Sequence, residues 1–129
     1  MSIPQELRYT KDHEWAKVSD NCVTIGISEH AVEQLGDITL VELPEVGSTV
    51  KAGDSIGVIE SVKAVSDLYA PISGTVKAIN QKLEDEPELV NEDPYGKGWM
   101  LEINATDSKE IEKLLDAASY ESHLNTLED

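Results

Sequence analysis

The chain reads as a mostly β protein with helical trim, an α+β arrangement weighted toward strands. Val23, Ile25 and Ile27 alternate with Cys22, Thr24 and Gly26, the period of a half-buried strand. Gly47, Gly53-Asp54, Pro71 and Ser73-Gly74 then divide the middle of the chain into short extended pieces, as in a compact β sandwich or barrel. After Asn104 the apolar residues change to helical spacing at Ile111, Leu114, Leu115 and Ala118.

Taken in order, Cys22 to Ile27 predicts the first strand, with Cys22 on the face opposite its three branched residues. Ser28 is placed to cap a short helix over 29–35, and Gly36 to stop it. Ile38 to Leu43 predicts a strand that Pro44 ends. Ser55 to Val62 and Val65 to Ala70 can pair as a hairpin with Lys63 at its turn. The tetrapeptide Thr-Val-Lys-Ala occurs at 49–52 and again at 75–78, on either side of that lysine, which hints at internal symmetry about the tip. Ile72, Gly74, Val76 and Ala78 alternate as another strand, a polar acidic loop runs through Glu84 to Glu88, and Trp99, Leu101 and Ile103 mark a last strand. Asp107 followed by Glu110 has the form of a capping box. A second short helix is expected from near Ser119, carrying Tyr120, Leu124 and Leu127 before an acidic end.

The 129 residues fit one domain spanning 1–129. Ten Lys and Arg against 26 Asp and Glu give a net charge of -16, so phosphate backbones and anionic lipid surfaces would repel the chain and neither nucleic acid nor membrane is an expected partner. Most of those carboxylates form a solvated surface, whose field favours basic partners at low salt. Cys22 is the only cysteine, so no internal disulfide forms. No leader-like segment opens the sequence and no run approaches the roughly 20 apolar residues of a membrane span, which gives a cytoplasmic expectation.

Few groups suggest catalysis. His13-Glu14, Glu29-His30 and His123 invite a metal or acid–base reading, but their spacing does not match a helical His-x-x-x-His site and no metal is expected. His30 reads as a helix-surface residue and His13 as a loop or strand-edge residue beside Trp15. Cys22 reads as a small hydrophobe rather than a nucleophile, and Gly96-Lys97-Gly98 as a turn rather than a phosphate loop.

Lys63 is different because of its surroundings. The segments His13-Glu14-Trp15, Gly26 to Ala31, Leu35-Gly36-Asp37, Val41 to Gly47, Glu60-Ser61-Val62-Lys63-Ala64, Ser66 to Gly74, Pro87 to Asn91 and Pro94 to Trp99 together resemble the H-protein family of the glycine cleavage system, over nearly the whole chain. The resemblance implies a barrel-sandwich hybrid of antiparallel sheets, an exposed lipoyl hairpin and C-terminal helices. It implies lipoate bound to Lys63 as an amide, and recognition by the attaching lipoate ligase or lipoyl transferase through Glu60, Gly47 and Gly74. These lie three residues before, sixteen before and eleven after the lysine.

The implied role is carriage, without catalysis by the chain itself. A pyridoxal-phosphate glycine decarboxylase would load an aminomethyl group, a tetrahydrofolate-dependent aminomethyltransferase would take it on, and dihydrolipoyl dehydrogenase would reoxidise the cofactor. The resemblance also sets Glu14 and Asp67 beside a cleft where they would hold the loaded amine. Val65 departs from the smaller or hydroxyl residue common in the family, which bears on the resting pose of the arm. Lys51 and Lys77 lack a glutamate three residues earlier and should stay unmodified. Rival readings are a free-standing lipoyl domain, a biotin carrier, an enzyme built on His13, Glu14 and Cys22, and a relay that passes lipoate to other acceptors. A biotin carrier would have Met on both sides of the lysine, where Val62 and Ala64 stand here.

Overall fold

A computed structural model describes residues 3–127. Its strands are β1 (Arg8–Tyr9), β2 (Glu14–Ser19), β3 (Cys22–Ile27), β4 (Ile38–Glu42), β5 (Thr49–Val50), β6 (Ser55–Ser61), β7 (Val65–Tyr69), β8 (Gly74–Ile79) and β9 (Leu101–Ala105). Its helices are α1 (Glu29–Leu35), α2 (Lys82–Asp85), α3 (Leu89–Glu92), α4 (Ser108–Glu112) and α5 (Ala117–Leu127). A six-stranded sheet runs β1-β2-β3-β9-β8-β5, and a three-stranded sheet runs β4-β6-β7. Every pairing is antiparallel, as the resemblance implied.

Alternation builds the core. Val23, Ile25, Val76 and Ile103 from the larger sheet meet Val41, Ile59 and Leu68 from the smaller one in a single buried cluster. Each such side chain contributes about 1.5–3 kcal/mol by leaving water. Cys22, on the opposite face of β3, is only half-buried. Ser28 caps α1 by accepting from Ala31 N at 3.4 Å, and Gly36, at φ +76°, ends it. The two copies of Thr-Val-Lys-Ala meet only at their first residues, Thr49 opposite Thr75, and run apart from there, since Val50 pairs with Gly74.

Two glycines beside β5 and β8 have a plain steric cause. Gly47 lies at φ +94°, in the left-handed region. Gly74 opens β8 against β9 so closely that a Cβ would overlap Asn104 O and press on Ile103.

Several elements depart from the sequence reading. β1 and β2 were not expected; they form because Tyr9 and Trp15 are wholly buried, in a second cluster with Leu7, Ala117, Tyr120 and Leu124 that seats α5. The acidic stretch expected to be a loop overlaps the end of α2 and runs up to α3, single turns whose anchors, Leu83 and Val90, are one per helix and so leave no periodic signal. The stripe from Ile111 to Ala118 does not belong to one helix. The chain breaks after α4 because Leu115 exchanges backbone hydrogen bonds with Tyr9, at 2.7 and 2.8 Å, and Ala117 rather than Ala118 faces the core. The capping box is half-formed: Asp107 accepts from Lys109 N at 3.0 Å, while the Glu110 carboxylate accepts from Ser73 N and Oγ at 2.8 and 3.1 Å. Leu127 is exposed, and the acidic end that follows lies outside the described residues. Among the described residues no helix is long and apolar enough to cross a membrane.

Gly74→Ala should therefore lower stability by about 2 kcal/mol or more, as overpacking against a backbone carbonyl does. Urea denaturation checks it, and an unchanged midpoint would show that β8 and β9 can part without cost.

Candidate functional site

β6 and β7 form the expected hairpin, and Val62, Lys63 and Ala64 are its turn. No Asn-Gly dipeptide shapes it; Ser61 does. Its Oγ accepts from Lys63 N at 3.2 Å and from Ala64 N at 3.1 Å, while Ser61 N donates to Ala64 O at 2.8 Å. A local side-chain bond thus supplies what a tight turn type would otherwise require. The turn is also tied to the body, since Val62 N donates to Asp37 O at 3.1 Å. The Asp37 stretch is held in its own right by Asn91 of α3, which donates to Gly36 O at 2.8 Å and accepts from Ile38 N at 2.9 Å.

Lys63 is exposed, and the methylenes of its side chain run over Gly36. A Cβ on that glycine would stand 3.3 Å from Lys63 Cε. Glu60 is half-buried on β6, paired with Val65 and Leu40, and its backbone oxygen accepts from Thr39 Oγ1 at 3.3 Å. Gly47 and Gly74 lie off the hairpin, on the loop before β5 and at the start of β8 in the larger sheet. Val62 and Val65 flank the tip with 66% and 68% of their surface exposed, an apolar collar on a largely acidic surface.

Glu14 and Asp67 are brought to the same part of the fold with opposite environments. Glu14 is 2% exposed; its Oε1 accepts from Thr10 Oγ1 at 2.8 Å and its Oε2 from Tyr69 N at 3.0 Å. Asp67 is exposed on β7, two residues from Tyr69 and so on the same side of the strand. Burial pushes the Glu14 carboxyl up to about 7, against the two hydrogen bonds that favour its charge and with a smaller push from Asp12.

The three histidines of the chain, scattered in sequence, meet in space. His13 lies 4.5 Å from His30 and 6.1 Å from His123, ring centre to ring centre, and its Nδ1 is 2.9 Å from Tyr120 Oη. Tyr120 Oη also shares a hydrogen bond of 2.7 Å with Ser28 Oγ. His30 is buried rather than on the helix surface, because α1 packs its first turn against the His13 turn and α5. Burial, then the neighbouring His30 and His123, lowers His13 to about 4. The sequence singles out the same three histidines but their spacing carries no sign that they meet; His13 itself turns at φ +69°, unusual for a non-glycine residue. Among the described residues no group of three His, Cys, Asp or Glu is arranged to hold a metal ion. The Cys22 sulfur lies 3.9 Å from Lys77 Nζ, and Gly96 to Gly98 lie in a turn.

The model of the family described as Glycine cleavage H-protein matches residues 7–127. The chain belongs to the glycine cleavage H-protein family. A glycine cleavage system H protein of Anaeromyxobacter sp. (strain K) is 52% identical over 128 residues, covering 99% of this chain and 100% of its own. One from Pseudoalteromonas atlantica is 57% identical over 124 residues, covering 95% and 96%. The crystal structure of a glycine cleavage system H protein from Mycobacterium marinum superposes with a TM-score of 0.89 at 43% identity, over 95% of this chain and 99% of that one. The barrel-sandwich fold expected from the resemblance is thereby borne out, and the family makes the chain a carrier component of the glycine cleavage system.

Glu14 and His13 bias stability in opposite directions. Glu14 rises from 4.5 to about 7 on folding, so its contribution is fullest below pH 4.5 and is lost as pH climbs through 7. His13 falls from 6.5 to about 4, so its contribution is present above pH 6.5 and lost as pH drops through 4. Relative to the parent, Glu14→Gln should gain stability as pH rises from 4.5 to 7, and His13→Gln should lose it from 4 to 6.5. Denaturation midpoints across that range check both, and differences that stay level with pH would contradict these assignments.

Proposed function

We propose that Lys63 carries lipoate as an amide and that the chain moves the aminomethyl group of glycine between the enzymes of the glycine cleavage system. The observation that carries this reading is an exposed lysine at the tip of a hairpin that Ser61 and Asp37 hold in one shape. The site fits the group: Lys63 is exposed at a turn whose three residues, 62 to 64, are all exposed, with its stem resting on Gly36. The lipoyl group supplies a disulfide that accepts the aminomethyl unit left by decarboxylation and is reoxidised after the unit is passed on.

The protein's own residues do the rest. Ser61 and Asp37 orient the tip, Gly36 gives the lysine stem a surface to lie on, and amidation removes the charge of Lys63. Glu14 and Asp67 hold the cationic amine, Glu14 from the buried side and Asp67 from the exposed side. Glu60 serves the attaching enzyme as a recognition residue. Gly47 and Gly74 serve it through backbone positions that favour glycine, a reading supported by the positive φ of Gly47 and the crowding at Gly74. The partners are the pyridoxal-phosphate glycine decarboxylase, the tetrahydrofolate-dependent aminomethyltransferase, dihydrolipoyl dehydrogenase and a lipoate ligase or lipoyl transferase, in the cytoplasm.

Intact mass before and after treatment with a lipoate ligase, with the modified peptide mapped, should place one lipoyl group on Lys63 and none on Lys51 or Lys77. Lys63→Arg should take none; modification at another lysine would overturn the assignment. Replacing Glu14 and Asp67 together by their amides should shorten the lifetime of the loaded carrier about tenfold, the loss of roughly one charge-assisted hydrogen bond. An unchanged lifetime would remove both residues from the role.

A further inference from the structure

Trp99 stands between two hollows on the face formed by α2, α3 and the turn before β9. The larger, about 540 Å³, is lined by Asn80, Lys82, Glu86, Leu89, Lys97 and Trp99. The smaller, about 250 Å³, shares Trp99 and Trp15 lies in its wall. The larger hollow has the size of a small-molecule site. It contains no residue of the Lys63 hairpin, nor Glu14 or Asp67.

Asn80 gives this hollow a fixed polar group. It is 6% exposed, and its Nδ2 donates to Lys97 O at 2.9 Å and to Trp99 O at 2.8 Å. Two carbonyl acceptors settle which end of the amide is nitrogen. The same bonds pin the 97–99 backbone, so the hollow is preformed. Oδ1 therefore points away from those carbonyls, and no donor among the described residues meets it. Since no buried side-chain oxygen lacks a partner, that Oδ1 keeps access to solvent, and Asn80 reaches solvent at the hollow it lines. An acceptor held this way can take a ligand N–H in place of water.

The charges around it are as specific. In a chain of net charge -16, Lys82 and Lys97 converge on one hollow, and neither ammonium has a carboxylate partner among the described residues. Glu86 lies on the same rim, beside the half-buried faces of Trp99 and Leu89. We propose that this hollow binds a ribonucleoside monophosphate. The base stacks on Trp99 and donates an N–H to Asn80 Oδ1, the ribose hydroxyls donate to Glu86, and the phosphate meets Lys82 and Lys97. Inorganic phosphate would leave Trp99, Asn80 and Glu86 unused. An uncharged nucleoside would leave both lysines unused, and a polynucleotide would bring its other phosphates against the acidic surface.

The test is a titration of the nitrogen-15-labelled full chain with AMP, adenosine and inorganic phosphate, followed by NMR. AMP should give saturable shifts at the Trp99 indole N–H and the Asn80 side-chain amide, with adenosine and phosphate each at least about tenfold weaker. The double variant Lys82→Ala, Lys97→Ala, at two exposed positions, should weaken AMP about tenfold while leaving the rest of the spectrum in place. No saturable shift up to about 10 mM AMP would overturn the proposal, as would shifts centred on another surface, or phosphate or adenosine binding as well as AMP. Equal AMP binding by the double variant would overturn it too. Lys63→Arg should bind AMP like the parent, so the result stands apart from the lipoyl reading.

Discussion

Asn91 donates its amide to Gly36 O and accepts from Ile38 N, across 55 and 53 residues of sequence, and the position of the hairpin tip follows from those two bonds. Between them lies Asp37, whose carbonyl receives Val62 N. A hairpin at the edge of a three-stranded sheet, with its turn residues Val62, Lys63 and Ala64 all exposed, would otherwise be free to sway. Here its reference is the end of α1 and the start of β4, both locked by one amide. Removing that amide would leave two partly buried backbone groups without partners, at about 1–3 kcal/mol each. α3 is only one turn long, with no side-chain cap, so it owes its place to buried Val90 and to these bonds.

A second constraint operates where β2 begins. His13 turns through a left-handed conformation and sends Glu14 inward, where Thr10 and Tyr69 N receive it. Desolvation still outweighs both hydrogen bonds, which is why the carboxyl is held up near neutrality. The histidine before it is pushed the other way by the same burial and by two more imidazoles. Two adjacent titrating groups thus offset each other, and the fold tolerates both at neutral pH because each is largely or partly uncharged there.

What the sequence disclosed was what local pattern can encode. β3, α1, β4 and the β6–β7 hairpin follow from alternation, a serine cap and a stop glycine, all within a few residues of one another. Lys63 stood out because Glu60, Gly47 and Gly74 stand at family spacing around it, and the structure puts it in the β6–β7 turn that the two flanking runs predicted. What stayed hidden depends on distant partners. β1 exists because Tyr9 reaches Leu115 and stacks on Tyr120, at 4.5 Å between ring centres. The break between α4 and α5 has the same cause, since a helix that continued through Leu115 could not pair with Tyr9. The meeting of His13, His30 and His123 needs the turn before β2, α1 and α5 all in place, and no window of sequence contains them together.

The raised carboxyl of Glu14 also bears on how a carrier holds and releases a cation. At pH 7 a group titrating near 7 is about half neutral, so the resting site does not confine a full unpaired charge in a buried place. In the proposed role the arriving ammonium favours the ionised form and displaces the remaining proton, so the hold forms together with the cation that needs it. In that role Asp67, exposed on β7 two residues from the Tyr69 whose N–H holds Glu14, supplies attraction without that burial and can draw the amine toward Glu14. Departure reverses the sequence: once the amine is gone, the carboxylate takes its proton back and the cost of burial falls again. Holding by Glu14 should therefore weaken as pH drops below about 7, whereas a carboxylate charged at every neutral pH would grip with little regard to it. A buried acid poised near neutrality thus suits a carrier that must bind its load firmly and then surrender it.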